Sequence, residues 1–334
     1  MIRMEYDKEF YEIVYIASAN RSGSTLLEHL LGSQGDVVNC GEFRRITDFY
    51  SENKKAIRDP QNTTACTCGE KVSECGFWSK VQSASGMDFS KDKFTSQVNA
   101  LNRLLFKLVF FVFGPRLTRK SADFYRPFAL ELKSAKNCFQ VFSAIHRLNK
   151  VTYIIDSSKM IYHFLLLKTA YPDKVKLITL VRDGRAVSMS SIRGNRIKIF
   201  MGGRFADGLN VESIRQKAFK AAVKSWVSVT IQTLIFFYRL PAQERLFIKY
   251  EKLVTDLNES FGTINNHLFN SKLNTSQQLS TKVSHAIGGS PSRLKSNFSE
   301  IKIDDGWRKD WTEEHKKMFG FLGALLNRFL GYRS

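Results

Sequence analysis

Short apolar runs rich in β-branched residues punctuate the chain at 12–17, 151–155, 175–181 and 245–250. Each is too short for a helix and reads as a buried strand. Longer stretches with apolar residues at helical spacing separate them, clearest at 25–33, 160–170, 214–238 and 312–329. Buried strands alternating with helices predict βαβ units: an α/β, three-layer fold with a central parallel sheet flanked by helices. Ligands of such sheets gather at the carboxyl ends of the strands. Residues 44–150 break the rhythm. They read as a long, mostly helical insertion between the first and second strands, inside a single domain covering 1–334. A second irregular stretch, 194–210, carries Gly and Arg with little periodicity and reads as a lid.

Two strand ends carry candidate chemistry. The first strand runs into Ser18-Ala19-Asn20-Arg21-Ser22-Gly23-Ser24-Thr25 and then an apolar helix opening Leu26-Leu27. A strand, a small-residue turn and a helix start make an anion cradle, because first-turn N–H groups and the helix dipole both face the anion. The fold is thus P-loop-like, but no Lys precedes the hydroxyl residues as a Walker A loop requires. The positive charge sits at Arg21, which disfavours ATP or GTP hydrolysis. Alternatively Ser22 or Ser24 only caps the helix. The strand at 176–181 ends in Arg182-Asp183-Gly184-Arg185, with Ser190 eight residues after Arg182, about two helical turns on. Both can face one crevice, with Arg182 suited to bidentate phosphate contact. In the plainer reading Arg182 pairs with Asp183 and Ser190 lies on the surface.

Composition narrows the partners. With 51 Lys+Arg against 31 Asp+Glu the formal net charge is +20. Such a surface attracts polyanions, yet no nucleic-acid-binding signature or zinc finger of standard spacing accompanies it. An anionic cofactor or acceptor fits better than nucleic acid. Residues 1–10 lack the apolar core of a secretory signal, and no run of about 18 apolar residues predicts a spanning helix. The nearest, 101–114, reads as an amphipathic helix packed on the core, or as a patch facing an acceptor or making peripheral membrane contact. Five cysteines (Cys40, Cys66, Cys68, Cys75, Cys138) without a signal suggest a reducing, cytoplasmic setting. Cys66, Cys68 and Cys75 could hold zinc, but a fourth ligand at the usual spacing is missing. Packing, or a Cys66–Cys75 disulfide, is the favoured expectation, and no metal site is assigned.

Together the two loops resemble the PAPS-dependent sulfotransferases (PAPS is 3′-phosphoadenosine 5′-phosphosulfate), of bacterial type and similar to tyrosylprotein and carbohydrate enzymes. Arg21-Ser22-Gly23-Ser24-Thr25-Leu26-Leu27 looks like the family's 5′-phosphosulfate loop, and 181–190 like its 3′-phosphate motif. Cys40-Gly41-Glu42 resembles the segment whose Glu is the proposed base of the tyrosylprotein enzymes. Lys159 resembles their sulfuryl-stabilising Lys, and Tyr250-Glu251-Lys252-Leu253 the segment whose Tyr lies by the adenine. The stretch from His285 through Ser290 to Arg293, followed by Trp307-Arg308, looks like the tail of bacterial members. There are departures. Ser290 stands where bacterial members often have Asn, Arg193 falls one residue short of a phosphate-contacting Arg, and no cysteine near Ser157 could pair with Cys40.

The resemblance implies in-line transfer of a sulfuryl group from PAPS, leaving PAP, to a hydroxyl of a carbohydrate or small molecule. Protein tyrosine is the alternative acceptor; a P-loop phosphotransferase and a non-enzymatic polyanion binder are rival functions. Catalysis falls to Glu42, as a base whose pKa burial would raise, and to Lys159 and Arg21. Donor binding falls to Arg21, Ser22, Gly23, Ser24, Thr25, Leu26, Arg182, Ser190, Tyr250, Ser290, Arg293, Trp307 and Arg308. Cationic side chains stabilise the charge, so no metal is required, and each such group is worth about 2–4 kcal/mol. In the competing structural readings Glu42 only partners Arg44 or Arg45, Lys159 starts a helix, and Tyr250 is core. His29 is read as a packing residue, and His285 as a rival base or a cap.

Overall fold

The computed structural model describes residues 10–53, 65–96, 98–115, 124–193, 211–269, 284–290 and 302–332. Five strands form one parallel sheet in the order β2-β3-β1-β4-β5: β1 (Glu12–Ser18), β2 (Val37–Asn39), β3 (Tyr153–Lys159), β4 (Val175–Val181) and β5 (Arg245–Lys249). All four predicted strands are present. The insertion follows β2, not β1, because the three-residue β2 joins the sheet edge before it.

β1 is central and buried on both faces, which is why its sequence is continuously apolar rather than alternating. Ile13, Tyr15 and Ala17 point into one core; Val14 and Ile16 point into the other. The first core is closed by helices of the insertion and its successor. On that first face stand α2 (Ile46–Tyr50), α3 (Gly76–Ser85), α4 (Ala100–Phe113), α5 (Ala129–Asn149) and α6 (Ile161–Ala170). Phe43, Trp78, Phe89, Phe94 and Phe142 interlock there edge-on and stacked. The opposite face is covered by α1 (Ser24–Gly32), through Leu27, Leu30 and Leu31, and by a later helix at Leu257–Leu268.

A third core gathers α7 (Gly184–Ile192), α8 (Val211–Arg239) and the C-terminal helix Glu313–Phe329. Among the described residues only α8 is long and apolar enough to cross a membrane by length and composition. Its Phe219, Trp226, Leu234 and Phe236 are buried in the fold, while Ile231, Ile235 and Tyr238 are exposed. Helix α4 buries Phe106 and Phe110 but exposes Leu101, Leu104, Leu105, Leu108, Phe111, Val112 and Phe113. It packs on the core by one narrow stripe, less than the amphipathic reading expects. The stretch 194–210 lies outside the described residues.

Gly184 begins α7 directly beneath the Trp226 ring, where an added Cβ would lie 2.6 Å from the indole. Gly184→Ala should lower unfolding stability by ~1–3 kcal/mol through overpacking, read from the urea midpoint.

Candidate active site

The cradle after β1 depends on two backbone conformations. Arg21 (φ 68°) and Gly23 (φ 91°) both lie in the left-handed region. Glycine adopts this readily; arginine does so at a cost of order 1 kcal/mol, strain that concentrates at functional sites. A side chain at position 23 is excluded, because its Cβ would meet the Tyr250 ring at 2.3 Å. Helix α1 then starts with no side-chain cap and no acidic residue in its first turn. The capping role weighed for Ser22 or Ser24 is therefore not what the structure has. The first-turn N–H groups, at Ser24, Thr25 and Leu26, lie at the positive end of the helix dipole. The Ser22 hydroxyl is buried without a hydrogen-bond partner.

β4 delivers Arg182 to the same place. Its guanidinium donates to the Arg21 carbonyl at 3.1 Å and lies 4.4 Å above the Tyr250 ring, a cation–π contact. Arg182 Nε is buried with no partner. Asp183 does not pair with it: that carboxylate caps α7 at the Arg185 N–H and holds the Arg185 side chain at 2.7 Å. Ser190, two turns along α7, accepts from Arg21 Nε at 3.3 Å. The two loops thus meet in one cleft, with a buried orphan donor on each. Asp304 reaches the cleft too, accepting from Arg182 at 3.0 Å and from Arg193 at 3.3 Å. This carboxylate on the cations of the second loop had no signal in the sequence.

β3 carries the next cation. Its pairing with β1 slips between Tyr15–Asp156 and Ala17–Lys159, a bulge that adds a residue at the strand end. Bulges re-aim side chains. Here the bulge ends with Lys159 at φ 68°, and its ammonium meets Glu42 Oε1 at 2.5 Å. Asp156 supports the bulge by accepting from the Ser158 N–H at 2.9 Å; burial pushes its pKa up to about 7, against those donations. Its neighbour His163 is pushed down to about 3, by burial first and then by Arg44, so it stays neutral.

Glu42 corrects an expectation. Burial alone would raise its pKa, but the charge and hydrogen bond of Lys159, with Arg45 and Arg44, outweigh it and hold the carboxyl at about 2. It is an ionised partner of Lys159, not a poised neutral acid. It also accepts from Arg45 at 3.4 Å, so the structural role weighed for it coexists with the cleft position.

The 284–290 segment lies across these groups. Gly41 (φ 68°) pairs with Ile287, and the Glu42 N–H donates to the Ile287 carbonyl at 2.7 Å. A Cβ at Gly41 would lie 2.2 Å from that carbonyl oxygen. The Ser290 N–H donates to Thr25 Oγ1 at 3.1 Å, which puts Ser290 beside the first loop. Tyr250, expected by an adenine, packs on Gly23 beneath Arg182, between the two loops. Trp307 is buried in the third core under Arg185, with Arg308 stacked on its ring at 4.9 Å. Arg293 lies outside the described residues.

A cavity of about 470 Å³ opens beside the cleft. Ser18, Asn20 and Lys159 line its inner end, and Leu104, Ile161, Tyr162 and Val229 its walls. Arg103 and Lys107 add charge; Lys107 is pushed below its usual pKa by burial and then by Arg103, and donates to Gln232.

A search of curated proteins returns no match. The sulfotransferase domain from the Synechococcus PCC 7002 olefin synthase has a TM-score of 0.50 at 17% identity, covering 98% of this chain and 98% of that one. The sulfotransferase domain from the curacin biosynthetic pathway gives 0.49 at 16%, covering 98% and 99%. Sulfotransferase STF1 from Mycobacterium tuberculosis H37Rv gives 0.47 at 12%, covering 94% and 78%. At such identities the first likeness speaks for the fold. The family is carried by a model described as "Sulfotransferase family", which matches residues 14–269 and so spans both anion loops, Glu42 and Lys159. The chain belongs to the sulfotransferase family.

Proposed function

We propose that the chain transfers a sulfuryl group from PAPS to a hydroxyl of a small acceptor with an apolar body. The observation that carries the reading is the Arg21–Ser190 contact at 3.3 Å, which makes one cleft of two anion sites. The buried, unpartnered Ser22 hydroxyl and Arg182 Nε suit a ligand with two anionic ends.

When bound, PAPS supplies an activated sulfuryl group on a 5′-phosphate leaving group. Arg21, Ser22, Ser24 and Thr25, with the first-turn N–H groups of α1 up to Leu26, hold the 5′ end. Arg182 and Ser190 hold the 3′-phosphate, and Tyr250 floors the site between them. Arg193 and Ser290 stand at its edge; Arg293 and Arg308 are further candidates at the 3′ end. Lys159 supplies positive charge where sulfuryl oxygens gather it. It cannot serve two anions fully at once. Drawn toward the sulfuryl group, it loosens its hold on Glu42, and the carboxylate's basicity rises as its counter-charge leaves. Glu42 then accepts the acceptor's proton. Sulfuryl transfer, like phosphoryl transfer, asks chiefly for such positioning and charge stabilisation. The apolar walls of the 470 Å³ cavity favour a small amphipathic acceptor over a bare carbohydrate.

Calorimetric titration with PAP and with ATP tests the donor. PAP should bind and ATP only weakly, and Arg182→Ala should weaken PAP roughly 10–100-fold, the worth of hydrogen bonds to a charged group. Unchanged PAP affinity in that variant would refute the 3′-phosphate assignment. Asp304→Asn should move the other way. It removes a carboxylate that competes for Arg182 and Arg193, and because the pair is half exposed the gain is at most about fivefold.

Glu42→Gln should lower kcat by about 10²–10⁴ without weakening PAP. The pH profile distinguishes the ionised Glu42 from a poised acid. Its folded pKa is depressed, so the pair with Lys159 is intact above the ordinary carboxylate range and fails only as pH falls toward 2. The profile of kcat/KM, which reports the free enzyme, should therefore show no Glu42 limb between about pH 5 and 9. A limb in that window abolished by Glu42→Gln would overturn this account.

A further inference from the structure

The three cysteines lacked a fourth ligand in the linear sequence. The fold supplies it. Cys66 and Cys68 sit on a tight turn: Ala65 pairs with Lys71, the Cys66 N–H donates to the Glu70 carbonyl at 2.8 Å, and the Gly69 N–H returns to the Cys66 carbonyl at 2.9 Å. Gly69 takes φ 96°, which only glycine does without strain. Cys75 stands at the N-cap of α3. From 210 residues further along, His285 brings its Nδ1 to 3.4 Å from Cys75 Sγ and 3.7 Å from Cys66 Sγ.

The distances discriminate between the chemistries open to such a group. Cys75 Sγ lies 3.7 Å from Cys68 Sγ and 3.8 Å from Cys66 Sγ. A disulfide would require about 2.05 Å. Four ligands around one zinc, with Zn–S near 2.3 Å and Zn–N near 2.0 Å, make a tetrahedron whose edges are about 3.5–3.8 Å. All four ligand atoms lie within 4.8 Å of one another, space for one ion rather than a multi-iron cluster. The imidazole is also held from outside the group. Phe77 stacks on it at 4.6 Å and 3°, and the Trp78 indole N–H donates to the His285 carbonyl at 2.9 Å. The Thr67 hydroxyl bonds both sides of it, to the Ser284 carbonyl at 2.6 Å and from the Ala286 N–H at 2.9 Å.

We infer that Cys66, Cys68, Cys75 and His285 bind one zinc ion, a structural site that pins the 284–290 segment to the insertion. This replaces the expectation that the chain has no metal site. Four protein ligands leave no open position, so the ion's role is architectural. Its place gives it leverage: two residues past His285, Ile287 pairs with Gly41 and accepts the Glu42 N–H, and Ser290 touches Thr25. The inference needs only this geometry and stands whatever the donor nucleotide is.

The test begins with the full-length wild type purified under reducing conditions, its zinc measured by mass spectrometry of the metal. About one zinc per chain is expected. Cobalt(II) exchanged into the site should give the intense visible d–d bands of tetrahedral coordination and thiolate charge-transfer bands in the near ultraviolet. His285→Ala and Cys68→Ser should each weaken zinc binding beyond the roughly 10–100-fold that loss of an outer-shell partner brings. The wild-type stoichiometry and cobalt spectrum decide the matter even if either variant fails to fold. Chelation of the wild type should speed amide exchange at 65–75 and 284–290 while β1 and β4 stay protected. A metal-free chain that shows no cobalt spectrum on titration, iron–sulfur absorption, or an intact mass lighter by two hydrogens would overturn the site. Unchanged exchange after chelation would overturn its pinning role.

Discussion

The register between β1 and β4 is the constraint from which the cleft follows. The two strands are parallel neighbours, paired from Ile13–Val175 to Ser18–Leu180. Neighbouring strands lie about 4.8 Å apart, so whatever follows each must leave from the same carboxyl end of the sheet. One sends out the Arg21–Thr25 loop and the other Arg182. Their side chains then have little freedom but to meet, and the Arg182–Arg21 carbonyl bond at 3.1 Å closes the pair. A slip of one residue would turn each strand's alternate side chains into the wrong core and pull the loops out of step. Burial of β1 on both faces therefore enforces the site as well as the sheet.

So many cations in a partly buried cleft need counter-charges when no anion is bound. Carboxylates supply part of them, Asp310 among them at 3.2 Å from Arg193. Glu42 pairs with Lys159 at 2.5 Å, and Asp304 bridges Arg182 and Arg193. Unpaired, each buried cation would cost several kcal/mol in lost solvation. Paired, the cleft still carries an excess of positive charge, and a ligand of higher charge can compete for the same donors. Asp304 is half exposed and its pairing weak, whereas Glu42 is buried and its pairing strong. The two ends of the cleft therefore differ in how readily they release their cations.

The regular elements were legible because each buried strand is a dense apolar run and each helix keeps its spacing. The strands at 175–181 and 245–249 and the helix at 161–170 fall within a residue or so of where the pattern puts them. β2 escaped because three residues carry no alternation. The loops after β1 and β4 were legible as local patterns, since strand, turn and helix start lie together in sequence. What was not legible joins distant positions. The sign of the Glu42 shift depends on a lysine 117 residues away, and burial without that partner would give the opposite sign. Asp304 has no motif around it, and His285 meets its cysteines only through the fold.

The insertion contacts both the cavity and the segment that carries His285. Through Arg103, Leu104 and Lys107 it walls the cavity beside Lys159, and through its cysteine turn it grips His285. His285 in turn anchors the segment bonded to Glu42 and Thr25. The cavity wall and the backbone around Glu42 thus hang from one structural unit, packed on the same face of the sheet by Phe43, Trp78 and Phe142. Helix α4 belongs to that unit and keeps an exposed apolar surface next to the cavity mouth. A sequence change in the insertion would therefore act on the cleft by two routes, the shape of the cavity wall and the setting of Glu42, and not by the wall alone.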